Sequence, residues 1–345
     1  MQTRRSLLLG LSGLAAAMPG ESAFAARAQP APPQACHAGR ADLGPLRTAM
    51  AKGRFVAYHP TGISFWYGKP SRASEASIHA DLATLRPWFD GLITYGASNG
   101  AERVADVAAR LGYRAMIQGV WNPTDRREVA TALAAARRHP TLVAGLSLGN
   151  EVVLSGRGTW GDLAYALRRV RKYAGRLPLT STETFAGFLN HPGARSTLAE
   201  MDFMMVNIHP IFERWFKHAK PFNWAQFVVR ATDLLAKAYC GPILVKETGV
   251  PTGPLAEGYS SAMQRAFYRA LEVQMKPAPS RAFAYFSAFD LPWHAYDASA
   301  VPGSRHPEEA NWGFFTHTRK PKPKPIMADL PRLASKKRLA TAQRL

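Results

Sequence analysis

Short apolar runs alternate along the chain with longer amphipathic stretches. Eight runs rich in β-branched and aromatic residues lie at 54–59, 91–96, 114–121, 142–148, 177–182, 201–208, 242–246 and 281–289. Stretches with helical spacing lie between them, for example at 74–85, 125–139, 159–174 and 222–239. Strands that alternate with helices form parallel sheets, and eight such units in one run favour closure into a barrel. The pattern therefore predicts an α/β protein, a single-domain (β/α)8 TIM barrel.

The N-terminus carries the pattern of an export signal. Arg4 and Arg5 precede an apolar run at 7–11, and the small residues of an A-x-A cleavage site follow at 23–25. Adjacent arginines resemble the twin-arginine export signal of bacteria, and an ordinary secretory signal is the alternative. Both interpretations place the mature protein in the periplasm or outside the cell. The apolar run is too short to remain as a membrane anchor, so no integral membrane segment is expected in the mature form.

The same pattern divides the chain into four parts. We expect an export signal peptide over 1–25, an N-terminal extension over 26–50, a catalytic barrel over 51–318 and a basic Pro/Lys-rich tail over 319–345. A barrel of alternating strands and helices fills this length as one domain. We expect a monomer.

The charge of the chain is strongly positive. Lysine and arginine total 44 against 24 acidic residues, which gives a formal net charge of +20. Such a field favours acidic partners, among them nucleic acids, anionic envelope polymers and membrane surfaces. Zinc-finger, RNP-like and helix-turn-helix patterns do not accompany the charge, so no nucleic-acid partner is predicted. Electrostatic association with an anionic envelope stays open.

Two cysteines, Cys36 and Cys240, precede strands and are expected at the bottom of the barrel. There they could form a disulfide, if their Cα atoms lie within about 7 Å of each other, or remain reduced. Two thiols without nearby histidines make a poor zinc site, and no metal is predicted.

Two glutamates follow strands at the expected mouth of the barrel. Glu151 follows the fourth predicted strand, directly after Asn150, and Glu247 follows the seventh. Side chains at these strand ends converge, and retaining glycosidases need two carboxyl groups about 5–5.5 Å apart. The Asn150 amide could donate to a sugar 2-hydroxyl. Lys246 is an alternative catalytic base or imine former, and strand alternation predicts that only one of Lys246 and Glu247 points inward.

Five segments together resemble glycoside hydrolase family 17, the β-1,3-glucanases and glucanosyltransferases. They lie at 149–152, 207–212, 247–252, 289–294 and 309–315, within a likeness that spans about 54–315. The resemblance implies a retaining mechanism without a cofactor, a β-glucan substrate, Glu151 as acid/base and Glu247 as nucleophile. The chain departs from the family pattern at Val250, at Leu291 in place of a glutamate and at His294 in place of a lysine. These departures put rate or substrate range in question rather than the fold.

Further residues at strand ends are candidates for sugar binding. Aromatic rings stack on the C–H faces of sugars, and the candidates are Tyr58, Tyr95, Trp121, Phe212 and Trp293. Packing in the core is the alternative for each of them. The polar candidates are Asn207, His209 and Glu309. His209 could orient Glu247 or be a structural histidine, and Glu309 could be a solvated loop residue.

Three functions are compatible with these residues. The first is hydrolysis of β-1,3-linked glucan with retention. The second is transfer of the sugar to another glucan, which would remodel or branch an envelope polymer. The third belongs to another class, a barrel that binds glucan or the envelope without catalysis, and the presence of both glutamates argues against it.

Overall fold

A computed structural model describes residues 39–66, 69–296 and 306–333. Eight parallel strands close into a barrel in chain order, and the first strand pairs with the second and the eighth. The strands are Phe55–Ala57 (β1), Gly91–Ile93 (β2), Ala115–Val120 (β3), Val143–Asn150 (β4), Leu179–Thr184 (β5), Met204–Asn207 (β6), Ile243–Glu247 (β7) and Arg281–Tyr285 (β8). Each overlaps one of the eight predicted runs, although β4, β5 and β7 extend one or two residues beyond them. The predicted fold is confirmed.

The α-helices within the described ranges are Gly44–Lys52 (α1), Glu75–Leu85 (α2), Val104–Arg110 (α3), Arg126–Arg138 (α4), Trp160–Ala174 (α5), Phe185–Asn190 (α6), Ala194–Leu198 (α7), Pro221–Ala238 (α8) and Ser261–Gln274 (α9). Polar N-caps fix where several of them begin. The Asp125 side chain accepts from two backbone N–H groups of α4, and Thr159 and Asp162 form a capping box at α5. Such caps satisfy N–H groups that have no partner inside the helix. A short antiparallel hairpin, Phe65–Trp66 with Lys69–Pro70, follows β1.

The first helix closes the bottom of the barrel. Leu46 and Met50 of α1 are fully buried and belong to the same apolar cluster as Phe55, Phe203 and Leu244. The helix contacts the neighbouring strands β3 and β4 and also β8, which lies on the other side of the barrel. Most of this helix lies within the predicted N-terminal extension over 26–50, whereas its buried face is part of the core.

Residues 319–333, which the sequence analysis groups with the basic tail, also pack against the barrel. Arg319 Nε lies 2.7 Å from a carboxylate oxygen of the fully buried Asp81. Lys322 Nζ donates to Asp290 at 2.6 Å, and Ile326 is fully buried. Two cations of this segment, Arg319 and Lys322, thus bind acidic groups of the barrel.

Three predictions concern parts of the chain outside the described residues. The export signal over 1–25 and the end of the tail over 334–345 lie there. Cys36 also lies there, while Cys240 is disulfide-bonded. Across 39–66, 69–296 and 306–333, helices long and apolar enough to cross a membrane are absent.

Candidate active site

The end of β4 is built to turn Glu151 into the barrel mouth. Gly149 and Glu151 both have left-handed backbones, with φ of 83° and 50°. A Cβ atom on Gly149 would lie 2.5 Å from Val152 Cγ2, so glycine is required there. The ladder to β5 shifts register between Ser147 and Asn150. This bulge leaves the Glu151 side chain buried at the top of the barrel, with 7% of the residue exposed.

A second bulge lies at the end of β7. The ladder between β6 and β7 pairs Val206 with Val245, and its next pair joins Asn207 to Glu247. Lys246 is therefore an extra residue in β7, and a bulge of this kind re-aims the side chains beside it. The side chains of Lys246 and Glu247 are both 1% exposed, and Nζ lies 3.8 Å from Glu247 Oε1. The expectation that only one of the two points inward is wrong.

A chain of polar contacts connects the two glutamates. Glu151 Oε1 accepts a hydrogen bond from Asn207 Nδ2 at 2.9 Å. The same Nδ2 lies 3.4 Å from Asn150 Oδ1, which also accepts from Lys246 Nζ at 2.7 Å. Lys246 in turn contacts Glu247. The strands β4, β6 and β7 thus bring both glutamates, both asparagines and Lys246 into one buried cluster.

His209 and Glu309 lie on the far side of Glu247. His209 Nε2 is 3.4 Å from Glu247 Oε2, and its ring packs edge-on against Trp312 with centroids 5.3 Å apart. Trp312 Nε1 donates to Glu309 Oε2 at 3.2 Å. Glu309 therefore supports Trp312, and Trp312 supports the histidine that contacts Glu247.

A small open cleft lies beside Glu151. Its lining combines polar groups with an apolar wall, and it consists of Glu151, Leu154, Thr184, Phe185, Asn207, His209, Phe212 and Glu213. Burial raises the pKa of Glu213 to about 7. Of the aromatic residues predicted to bind sugar, Phe212 lies in this cleft.

A further acidic side chain, Glu183, lies at the end of β5. Burial raises its pKa to about 8, and the charge of Glu151 acts in the same direction. The backbone N–H of Val153 opposes this shift by donating to Glu183 Oε1 at 2.8 Å. Neither Glu183 nor Glu213 is among the predicted site residues. Glu183 directly follows a predicted strand and Glu213 lies in the loop after another, and the sites of this fold are built from such strand ends and loops.

Of the predicted aromatic platforms, Tyr58 lies inside the protein and Tyr95 is partly buried. Tyr58 is fully buried, and its hydroxyl donates to Asp81 Oδ2 at 2.8 Å. A ring without exposed surface cannot stack on a sugar, so Tyr58 is a core residue. The ring of Tyr95 lies against Lys246, with Nζ 3.9 Å from its centroid. Tyr95 therefore contacts the polar cluster through Lys246.

The two predicted tryptophans differ in exposure. Trp121 is 46% exposed, and the Arg157 guanidinium stacks 4.1 Å above its ring. Arg157 Nη2 also donates to the carbonyl of Asn150 at 2.6 Å, which ties Trp121 to the end of β4. Trp293 is only 8% exposed and packs on Phe65, with ring centroids 4.8 Å apart. Trp121 is thus the more accessible of the two.

The three residues at which the chain departs from the family pattern are Val250, Leu291 and His294. Val250 is fully buried and Leu291 is 8% exposed, so both are packing residues. The ring of His294 lies edge-on to Trp293, 4.0 Å between centroids. In the described part of the chain, His, Cys, Asp and Glu do not form a group of three that could hold a metal ion.

Comparison with proteins of known structure supports the barrel assignment. A β-1,3-glucanosyltransferase of Rhizomucor miehei, solved as an active-site mutant with laminaritriose, superimposes with a TM-score of 0.60 at 18% identity over 79% of this chain and 97% of that chain. An endo-laminarinase from Formosa Hel1_33_131 gives a TM-score of 0.59 at 17% identity over 76% of this chain and 83% of that chain. Likeness at this level of identity establishes the fold.

Comparison of the sequence with known proteins adds information on the family. The chain is 24% identical over 296 residues to a glucan 1,3-beta-glucosidase of Arthroderma benhamiae, covering 80% of this chain and 94% of that protein. The family model of the BtgE/BtgC glycoside hydrolase domain matches residues 56–313, most of the chain. The prediction of a glycosidase or transglycosidase is thereby confirmed, and the chain belongs to the BtgE/BtgC glycoside hydrolase family.

Proposed function

We propose that the protein cleaves β-1,3-linked glucan by double displacement with retention, with Glu151 as acid/base and Glu247 as nucleophile. The observation that carries this proposal is the buried contact chain that joins the two carboxyl groups through Asn207, Asn150 and Lys246. The glucanosyltransferase, laminarinase and glucan 1,3-beta-glucosidase among the similar proteins support β-1,3-glucan as the substrate.

In the first step Glu151 gives its proton to the glycosidic oxygen. The bond between that oxygen and the anomeric carbon breaks, and a Glu247 oxygen forms a bond to the same carbon. Asn207 Nδ2 already donates to Glu151 Oε1 at 2.9 Å, which fixes the orientation of that carboxyl group. His209 at 3.4 Å from Glu247 Oε2 does the same for the nucleophile.

In the second step an acceptor hydroxyl releases the sugar. Glu151, now ionised, takes the acceptor's proton while the acceptor oxygen attacks the anomeric carbon and the bond to Glu247 breaks. Water as acceptor gives hydrolysis. A sugar hydroxyl as acceptor gives a longer glucan.

The cleft beside Glu151 favours transfer as the second candidate function. Phe185, Phe212 and Leu154 form an apolar wall there, and Glu213 faces the same space. Aromatic and aliphatic walls with a few polar groups are typical of sites that hold a sugar. An acceptor glucan bound in this cleft would compete with water for the glycosyl-enzyme.

The test uses linear β-1,3-, β-1,6- and mixed-linkage glucans, with products resolved by size. We expect cleavage of the β-1,3-glucan, and products longer than the donor would identify transfer. Glu247→Ala should lower the rate by at least about 10³-fold, and a 2-fluoro glycoside should label Glu247. Glu257→Gln, an exposed carboxyl elsewhere, is the matched control. Near wild-type activity of Glu247→Ala, or a label on another residue, would refute the assignment of Glu247 as nucleophile. Glucan binding by the wild type without any product would favour a binding protein.

We also propose that the protein acts outside the cytoplasm as a monomer and associates with anionic envelope material. The signal-like pattern over 1–25 and the net charge of +20 support this. Cell fractionation of the wild type and of a variant with Arg4 and Arg5 replaced by lysine tests export. Light scattering tests the monomer, and salt-dependent release from isolated envelopes tests association.

A further inference from the structure

Lys246 is a buried cation at the centre of the catalytic cluster. Its side chain is 1% exposed. Nζ donates to Asn150 Oδ1 at 2.7 Å, lies 3.8 Å from Glu247 Oε1 and sits 3.9 Å from the centroid of the Tyr95 ring. Burying an ammonium group is unfavourable unless it is paired. The oxygens of Asn150 and Glu247 and the face of Tyr95 provide that pairing.

The contact to Asn150 fixes which way its amide points. An ammonium group has three donors and no acceptor, so only the Oδ1 side of the amide can face Lys246. Asn207 Nδ2, another donor, lies on the same side at 3.4 Å from Oδ1. The Nδ2 group of Asn150 therefore points away from both donors and stays available for a substrate hydroxyl.

The contact to Glu247 places a positive charge beside the nucleophile. The charged or titratable groups near Glu247 include Lys246 from β7 and His209 after β6. Tyr95 after β2 contacts Lys246, and Glu151 after β4 is connected to it through Asn150 and Asn207. Lys246 is the ammonium group of this set, and its Nζ lies 3.8 Å from Glu247 Oε1. A cation at this distance favours the ionised carboxylate and stabilises it as a leaving group when the glycosyl-enzyme is released.

We propose that Lys246 is a positioning residue of the reaction, which aims the Asn150 amide at the substrate and keeps Glu247 ionised. This inference rests on the proposed function, since it presumes that Glu247 is the nucleophile. The bulge in β7 makes the arrangement possible, because the extra residue lets Lys246 and Glu247 face the same space. In this scheme Lys246 neither takes a proton from the substrate, as a catalytic base would, nor bonds to it, as an imine former would.

The test compares Lys246→Met, which removes the charge, with Lys246→Gln, which keeps a donor for Asn150, and Lys246→Arg, which keeps the charge. Lys237→Met, an exposed lysine on α8, controls for the change in net charge. For Lys246→Met we expect kcat/KM to fall by roughly 10- to 100-fold. We expect KM to change by less than about 3-fold, because both tasks act on the reacting groups.

Two readouts separate positioning from a merely structural role. The acidic limb of the pH profile of kcat/KM should move to higher pH by about one unit in Lys246→Met and Lys246→Gln but not in Lys246→Arg. The 2-fluoroglycosyl-enzyme should also reactivate more slowly in both uncharged variants. In a double-mutant cycle, combining Asn150→Ala with Lys246→Met should reduce kcat/KM by a smaller factor than the product of the two separate reductions.

The outcomes distinguish this inference from the proposed function. An inactive wild type, or a label elsewhere than Glu247, would refute the proposed function. An active wild type labelled at Glu247, with an unmoved pH profile in Lys246→Gln, would refute the role of Lys246 alone. If Lys246→Met does not fold, as judged by its thermal transition, the Gln and Arg variants decide in the same way. Trapping of a substrate on Lys246 by borohydride would also refute the proposed positioning role of Lys246.

Discussion

Glu183 lies buried at the end of β5, and its protonation should set how the stability of the fold depends on pH. The residue is 1% exposed. Burial raises its pKa from the ordinary 4.5 to about 8, against the opposing hydrogen bond from Val153 N–H. The charge of Glu151 adds to the shift. A neutral carboxyl group at Glu183 is therefore the stable form in the folded protein at neutral pH.

The sign of the effect follows from proton linkage. Below about pH 4.5 the folded and unfolded chains both hold the proton, and Glu183 stabilises the fold fully. As the pH rises from 4.5 to about 8, the unfolded chain releases the proton while the folded chain keeps it. The free energy of unfolding then falls by about 1.4 kcal/mol per pH unit. Over the whole interval, the free energy of unfolding falls by at most about 5 kcal/mol through Glu183.

Replacing Glu183 with glutamine should remove this slope. At about pH 5 the variant should be less stable than the wild type by about 1 kcal/mol, because its amide places N–H groups near the backbone N–H groups of Val153 and Leu154. At about pH 8 the variant should be more stable by about 3 kcal/mol. Urea denaturation of both proteins at several pH values would measure the crossing of the two curves.

The control for this experiment is Glu257→Gln, which removes an exposed carboxyl group. Its stability curve should run parallel to that of the wild type over the same pH range. Parallel curves for Glu183→Gln and the wild type would refute the reasoning, because they would mean that Glu183 is ionised in the folded protein. Glu213, whose pKa is raised to about 7, should add a slope of the same sign over a shorter pH interval, and both proteins retain it.

Two other predictions concern the framework of the site. Arg319→Met should lower the free energy of unfolding by about 3 kcal/mol, since the variant leaves the buried carboxylate of Asp81 without its cation. The melting temperature measures this loss. As a control, Arg265→Met removes one partner of an exposed ion pair and should change the melting temperature far less. Gly149→Ala should cost about 1–3 kcal/mol through its φ of 83° and the contact with Val152, and activity should fall in protein that remains folded at the assay temperature.

The barrel could be predicted from the sequence because its strands are buried on both faces. Runs such as Ile243–Glu247 begin with continuous apolar residues, which is typical of parallel strands covered by helices. Helix starts were also readable, because Asp125 and Thr159 are N-caps that precede amphipathic stretches. Neighbouring residues along the chain determine where these strands and helices form, so the sequence pattern was enough to predict them.

Features that depend on distant contacts could not be predicted in the same way. Residues 319–333 are rich in lysine and proline and suggest a solvated tail, yet Arg319 and Lys322 bind buried acidic groups far away in the sequence. Glu183 and Glu213 look like ordinary strand-end carboxyl groups, and only the packing around them raises their pKa values. The sequence contains the residues but not the environment that changes their chemistry.

The two bulges explain why the catalytic cluster itself was only half predictable. Strand alternation assigns each residue to a face with a period of two, and one extra residue reverses that assignment for everything after it. β4 gains its extra residue just before Glu151, and β7 gains Lys246 just before Glu247. In both strands the period therefore changes at the carboxyl group that is proposed to react. Alternation breaks here because the strand leaves the regular ladder to bring consecutive polar side chains, Asn150 with Glu151 and Lys246 with Glu247, into one buried space.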